Sequence, residues 1–163
     1  KNFQVSTGDI LREEIKKNSI IGQQIIKNMN EGKFVSDEIV NELIEKIIYD
    51  PQKKDKLIFD GYPRSLSQAK YLDLLLDKSK QKIDHIFFLN VNKDTIIERI
   101  EKRKILENRA DDDTETILKR YDTYMETTRP VLEFYSKNPN FHEINGTQEI
   151  DQITREIEAF INV

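Results

Sequence analysis

Two short apolar runs constrain the fold of this chain more than any other feature of its sequence. Leu57-Ile58-Phe59 and Ile86-Phe87-Phe88-Leu89 contain no alternating polar residues. A strand with one face in water alternates polar with apolar residues, whereas a strand covered by helices on both faces is apolar throughout. We therefore expect a parallel sheet with helices on both faces, which is an α/β fold.

Helical spacing of apolar residues fills the stretches between the predicted strands. The strands are predicted at residues 3–6, 57–60, 85–91 and 141–145. The helices are predicted at residues 10–15, from 20 toward 32, and at 36–48, 67–76, 94–104, 114–126, 130–135 and 150–161. A chain of 163 residues without a Pro/Gly/Ser linker predicts one domain, so any subdomain is an insertion within it.

The composition excludes several classes of protein. The chain has no cysteine and two histidines, which excludes disulfide frameworks and thiolate zinc sites and predicts a reducing, cytoplasmic compartment. No apolar stretch is long enough to cross a membrane. The net charge of -4 argues against bulk electrostatic binding of nucleic acid. An anionic ligand therefore has to be bound by local cations, and arginine is the cation best suited to phosphate.

The first candidate site is Ser6-Thr7-Gly8-Asp9, followed by Arg12. A strand ends here, a glycine permits close backbone approach, and the start of a helix directs its N–H groups at an anion. The alternative is an ordinary helix N-cap, for which Ser, Thr and Asp are the usual choices.

The second candidate site is Asp60-Gly61-Tyr62-Pro63-Arg64, with Gln68 four residues further on. Ligands of open parallel sheets bind beyond the carboxyl ends of the strands, where this segment is predicted to lie. Asp60 suits the water shell of Mg²⁺ and Arg64 suits a phosphate. The alternative is an Asp-Gly turn, a helix start at Pro63 and a surface arginine.

Four more arginines lie in or near two later helices. Arg99 and Arg103 are four residues apart and share one helix face, although an exposed charged stripe would have the same spacing. Arg109 precedes an acidic run and Arg120 lies in the helix after it. That run lacks the glycine and the final glutamate of a Ca²⁺ loop.

Other patterns are absent or structural. Neither GxxxxGK[ST] nor GxGxxG occurs among the five glycines. His85 and His142 are placed at strand beginnings, opposite the expected ligand edge, and are interpreted as structural.

In this order, the motifs resemble those of the nucleoside monophosphate kinases, and of adenylate kinases in particular. The resemblance runs from about Phe3 to Ile161, and it implies a fold like that of the P-loop kinases. Ser6 to Arg12 resembles the start of the family's AMP-binding segment, Asp60 to Arg64 its signature strand end, and Asn145-Gly146-Thr147-Gln148 the loop under the ATP base. Six of the eight arginines fall on phosphate-contacting positions of the family.

The resemblance implies roles for individual residues. Catalysis is expected of Arg64, Arg99, Arg109 and Arg120. AMP binding is expected of Thr7, Arg12, Lys33, Phe34, Val35, Gly61, Arg64, Gln68, Arg109 and Arg120. ATP binding is expected of Arg99, Arg103 and Gln148. Asp60 is expected to hold Mg²⁺ through water.

Two departures from the family pattern affect the interpretation. Only three residues separate Arg103-Lys104 from Asn108-Arg109, so we expect a short lid at about 104–110 without the zinc-bearing insertion of some relatives. The family's first strand, which is central in the sheet, and its phosphate loop would precede Lys1. Because a missing central strand leaves buried backbone groups unpaired, we expect that Lys1 is not the natural start, or that the chain is a fragment unable to bind ATP normally.

The expected function is reversible phosphoryl transfer from ATP to AMP, giving two ADP. We expect one kinase core over residues 1–163, with an inserted AMP-binding subdomain at about 6–35. A cytoplasmic monomer with adenine nucleotides as its partners is expected, without nucleic acid or membrane. Two alternatives stay open: a UMP/CMP-type kinase, against which Thr7 and Gln68 argue, and a non-catalytic nucleotide-binding fragment.

Overall fold

The computed structural model of the chain describes residues 1–30, 35–107 and 114–162. The described residues form an α/β fold in which every strand pairing is parallel, and the predicted fold class is thereby confirmed. The chain divides into two compact units, Lys1–Lys82 and Ile83–Val163, each with a two-stranded sheet.

The first unit contains strands β1 and β2 and helices α1 to α4. Their bounds are β1 Phe3–Ser6, α1 Thr7–Lys16, α2 Ile20–Asn30, α3 Asp37–Ile48, β2 Leu57–Asp60 and α4 Leu66–Lys78. Phe3 pairs with Leu57 and Ser6 with Asp60, so the carboxyl ends of both strands lie at one edge. The chain that leaves each strand therefore starts from the same edge of this sheet.

Helix α3 shows why the sequence folds locally as it does. Ser36 adopts an extended conformation and its Oγ accepts a bond from the Ile39 N–H at 3.4 Å, as an N-cap does. The apolar positions recur with helical spacing and become a buried face, comprising Val40, Leu43, Ile44 and Ile48. The observed helix agrees with the helix predicted at residues 36–48, and its capping serine and its apolar spacing are both visible in the sequence.

The second unit contains strands β3 and β4 and helices α5 to α7. Their bounds are β3 Ile86–Asn90, α5 Lys93–Glu107, α6 Thr114–Ser136, β4 Phe141–Asn145 and α7 Ile150–Ile161. Ile86 pairs with Phe141 and Asn90 with Asn145, so β3 and β4 also end at a common edge. Ile144 of β4 and Ile153 of α7 are buried in this unit.

The prediction of two helices at 114–126 and 130–135 is wrong, since α6 is continuous through Pro130. Proline removes one helical N–H donor and often ends a helix. Val131 and Tyr135, one residue and five residues beyond the proline, are buried. Burial of these two side chains stabilises the helix beyond the proline, and this tertiary packing outweighs the local cost.

Each apolar run leaves one large side chain in contact with water. Ile58 of β2 is 52% exposed and Leu89 of β3 is 44% exposed. In the described residues each of these strands has one hydrogen-bonded neighbour. The two strands are therefore less buried than their apolar sequences predict. In the described ranges, no helix combines the length and the apolar character that crossing a membrane requires.

Candidate functional site

The candidate site of the first unit lies where β1 and β2 end. Thr7, the first residue of α1, is buried, and its Oγ1 donates to the Gly61 carbonyl at 3.4 Å. This bond joins the helix start after β1 to the turn after β2. The two segments that the sequence analysis selected separately are therefore in contact.

Two arginines of this edge fold back over glycines. A Cβ on Gly8 would lie 3.2 Å from Nη2 of Arg12, and a Cβ on Gly61 would lie 3.0 Å from Nη2 of Arg64. Gly61 also has a φ of +69°, a conformation that favours glycine. Both glycines thus allow a guanidinium group to lie against the backbone.

Each of these arginines has an internal acceptor. Arg12 forms an exposed ion pair with Asp9, three residues earlier in α1. Arg64 Nε donates to the Gly61 carbonyl at 2.7 Å, and the arginine is exposed. Both guanidinium groups therefore reach the surface beside the carboxyl ends of the strands, where an anion can approach them.

The loop after β2 is fixed by polar contacts to α3 and β1. Tyr62 is buried, and its hydroxyl donates to Asn41 Oδ1 of α3 at 3.3 Å. Burial raises the pKa of the Tyr62 phenol, which keeps the donor proton in place at neutral pH. Asp60 is exposed, and its Oδ2 accepts a bond from Gln4 Nε2 at 3.0 Å.

Gln68 connects the loop to α3. Its Oε1 accepts from the Arg64 backbone N–H at 2.8 Å, and its Nε2 donates to Asp37 Oδ1 at 2.8 Å. The other oxygen of Asp37 accepts from Ser67 Oγ at 2.9 Å. No local sequence signal marks Asp37 as a site residue, because its partner Gln68 lies 31 residues away.

A narrow apolar crevice lies between α1 and α3, and it is too tight to hold a water molecule. Its lining is apolar except for one hydroxyl-bearing residue, and consists of Thr7, Ile10, Leu11, Val40, Leu43 and Ile44. Because Thr7 also contacts Gly61, this packing of α1 against α3 adjoins the arginine edge.

In the second unit, Arg99 binds the loop that follows β4. Its Nη1 donates to the Gly146 carbonyl at 2.7 Å and its Nη2 to the Gln148 carbonyl at 3.1 Å. Gln148 Nε2 in turn donates to the Asn145 carbonyl and to Glu156 Oε1, each at 3.0 Å. Two residues predicted to bind ATP, Arg99 and Gln148, are therefore in contact.

The remaining predicted residues are placed as follows. Arg103 lies in α5, one turn after Arg99, and Val35 lies directly before the cap of α3. Arg120 lies in α6, but its side chain is outside the described residues, as are Lys33, Phe34 and Arg109.

Side chains that could bind a metal ion do not cluster in the described part of the chain. No group of three or more His, Asp or Glu side chains is arranged there to bind a metal ion. His85 and His142 lie at the beginnings of β3 and β4, where His142 stacks on Phe160 with ring centroids 4.0 Å apart. Asp60 offers a single exposed carboxylate, which suits Mg²⁺ because this ion usually keeps several water ligands.

Comparisons with known proteins agree with one another. The family model described as adenylate kinase matches residues 1–140. A relative from Pelagibacter ubique named adenylate kinase is 44% identical over 187 aligned positions, covering 99% of this chain and 88% of the relative. Relatives of the same name from Mycoplasma capricolum and Nocardioides are 34% and 33% identical, and cover 99% and 98% of the chain. These alignments cover 89% and 83% of the two relatives.

Proposed function

The chain belongs to the adenylate kinase family, and on that premise we propose that it holds AMP at the carboxyl ends of β1 and β2. The reaction is reversible phosphoryl transfer from ATP to AMP, which gives two ADP. One observation carries the proposed site: the bond from Thr7 to Gly61 brings two glycine–arginine pairs, Gly8 with Arg12 and Gly61 with Arg64, to one edge.

The AMP phosphate binds Arg12 and Arg64 in this proposal. Both guanidinium groups are exposed, and arginine binds phosphate with two parallel hydrogen bonds. The adenine ring lies beside Thr7, and Gln68 contacts the edge of the base. By resemblance to the family, Lys33, Phe34 and Val35 also bind AMP.

Phosphoryl transfer then depends on positioning and on charge. An oxygen of the AMP phosphate attacks the γ-phosphorus of ATP, and the bond to the oxygen bridging the β and γ phosphorus atoms breaks. No proton has to move, so we assign no general base. The developing charge needs fixed cations, for which we propose Arg64, Arg99, Arg109 and Arg120.

The ATP base is assigned to the loop after β4. Arg99 binds two carbonyls of this loop, and Gln148 is held within it, which supports a role for both residues and for the neighbouring Arg103 in ATP binding. Adenylate kinases use Mg²⁺, which neutralises charge on the transferring phosphates. Asp60, an exposed carboxylate at the end of β2, would hold the ion through water.

We also propose the short form of the lid, at about residues 104–110. The alignment with the Pelagibacter relative has 187 positions, more than the 163 residues of this chain, so that relative carries residues which the chain lacks. The alignment with the Nocardioides relative has 159 positions. A short lid without cysteine needs no zinc, and we propose a cytoplasmic monomer.

Replacement of Arg64 tests the proposed AMP site. The Arg64→Ala variant should keep its fold, because the side chain is exposed, and should lose at least about a hundredfold in kcat/KM. Arg155→Ala is the matched control, since it removes an exposed arginine of α7 that has no assigned role. Initial rates with AMP, UMP and CMP in a coupled assay give the substrate preference. Unchanged kcat/KM in Arg64→Ala contradicts the site, and faster turnover of UMP or CMP contradicts the preference for AMP.

A further inference from the structure

The side-chain amide of Gln68 has its orientation fixed from two sides. Oε1 accepts from the Arg64 backbone N–H, and Nε2 donates to a carboxylate oxygen of Asp37, both at 2.8 Å. A flipped amide would direct its NH₂ group at a backbone donor and its oxygen at a carboxylate. A flip would leave a buried amide facing two mismatched partners, so both contacts select one orientation.

Asp37 is itself held in place. It is the first residue of α3, and its second carboxylate oxygen accepts from Ser67 Oγ at 2.9 Å. Ser67 lies in the first turn of α4, as Gln68 does, so one carboxylate joins the starts of two helices. Its charge also makes the bond to Gln68 stronger than a bond between neutral groups.

The fixed amide has one oxygen lone pair and one N–H group left for a ligand. Their order is set, because Oε1 faces the Arg64 side and Nε2 faces the Asp37 side. Adenine matches such a pair with its N6–H donor and an adjacent ring-nitrogen acceptor. A 6-oxopurine presents the reverse order, with an O6 acceptor and an N1–H donor, and would bind well only to a flipped amide.

We propose that Asp37 is a positioning residue that sets the preference of the site for a 6-aminopurine over a 6-oxopurine. The proposal rests on the assignment of Gln68 to the base of AMP. Asp37 acts through Gln68 and needs no contact with the nucleotide. The Arg64 backbone N–H supplies the second constraint, which no side-chain replacement removes.

Asp37→Asn tests the proposal, because an asparagine can present either its oxygen or its NH₂ group to Gln68. Calorimetric titration of the full-length protein with AMP and with inosine 5′-monophosphate gives the ratio of their dissociation constants. We expect this ratio to shift about tenfold toward the 6-oxopurine, equivalent to about 1.4 kcal/mol. With saturating ATP, the KM for AMP should rise while kcat changes less than twofold.

Two further variants keep the result interpretable. Glu38→Gln removes a neighbouring exposed charge from the first turn of α3 and should leave the ratio unchanged. Ser67→Ala removes the bond that holds Asp37 without touching the amide of Gln68, and should shift the ratio in the same direction by a smaller factor. It also serves as the test if Asp37→Asn does not fold.

Gln68→Ala distinguishes a failure of the positioning role from a failure of the AMP site. If it weakens AMP binding while Asp37→Asn and Ser67→Ala leave the ratio unchanged, the positioning role is refuted and the AMP site stands. If Gln68→Ala leaves AMP binding unchanged, the assignment of the base to this site fails. Equal weakening of both nucleotides in Asp37→Asn identifies a purely structural role and overturns the proposal.

Discussion

Replacing Gly22 by alanine should destabilise the fold, although alanine is the better helix former. Gly22 lies in α2 where this helix crosses α1, and a Cβ there would be 2.1 Å from the Glu14 carbonyl oxygen and 2.7 Å from its carbon. Ordinary contacts of a Cβ begin at 3.4 Å. The obstacle is helix backbone, so α2 has to move away from α1 by more than 1 Å.

The size of the effect follows from three contributions. Ala in place of Gly gains about 1 kcal/mol of helix propensity, whereas overpacking costs about 1–3 kcal/mol. The movement also disturbs Ser19, whose backbone N–H donates to the same Glu14 carbonyl at 3.3 Å and whose hydroxyl donates to Glu14 Oε2 at 2.6 Å. Loss of one such bond costs about 1 kcal/mol. The free energy of unfolding should therefore fall by about 1–3 kcal/mol.

Urea denaturation followed by circular dichroism measures this change, and each kcal/mol also lowers Tm by about 2–4 °C. Gly8→Ala is the matched control, because its Cβ would meet only the end of the flexible Arg12 side chain, at 3.2 Å. That variant should keep its stability and bind AMP more weakly, since Arg12 is displaced. A Gly22→Ala variant as stable as the wild type, or more stable, would refute the argument from the helix crossing.

Two further predictions concern charged groups. Burial, with a smaller contribution from the like charge of Asp77, raises the pKa of the Asp73 carboxyl, so its ionised form is unfavourable in the folded state. Asp73→Asn should accordingly raise the urea midpoint at pH 7, and the gain should vanish as the pH falls below the carboxyl's ordinary pKa; a gain independent of pH contradicts this. Arg99→Ala removes both bonds to the loop at Gly146 and Gln148, and should raise the KM for ATP while calorimetry finds the affinity for AMP unchanged; an unchanged KM for ATP would separate Arg99 from the ATP site.

The secondary structure was predictable where local chemistry decides it. Helix α3 needs only Ser36 as a cap and apolar residues at helical spacing, and both are visible in the sequence. The prediction of two separate helices before and after Pro130 was wrong, because here tertiary packing decides the structure. The burial of Val131 and Tyr135 depends on tertiary packing, and no window of local sequence reports it.

The position of the candidate site could be predicted from the sequence. Parallel strands end at one edge, so the placement of Thr7 and Gly61 together follows from recognising both strands. The partners of each polar group were not predictable, because they depend on side-chain geometry across long separations. Gln68 binds Asp37 across 31 residues, and Arg99 binds the loop of β4 across 47 and 49 residues.

The internal acceptors of the two arginines bear directly on how the proposed AMP site works. Arg12 and Asp9 are 59% and 72% exposed, and an ion pair as exposed as this contributes at most about 1 kcal/mol. Asp9 therefore restricts where the Arg12 guanidinium group lies. It does not compete strongly with a phosphate, because a phosphate accepts two hydrogen bonds from the guanidinium group. If the pair were buried, replacing Asp9 by a phosphate as the partner of Arg12 would be costly. The displaced carboxylate would then lose both its partner and its access to water. The exposure of Asp9 is therefore what allows Arg12 to be positioned in advance and still be released to a ligand.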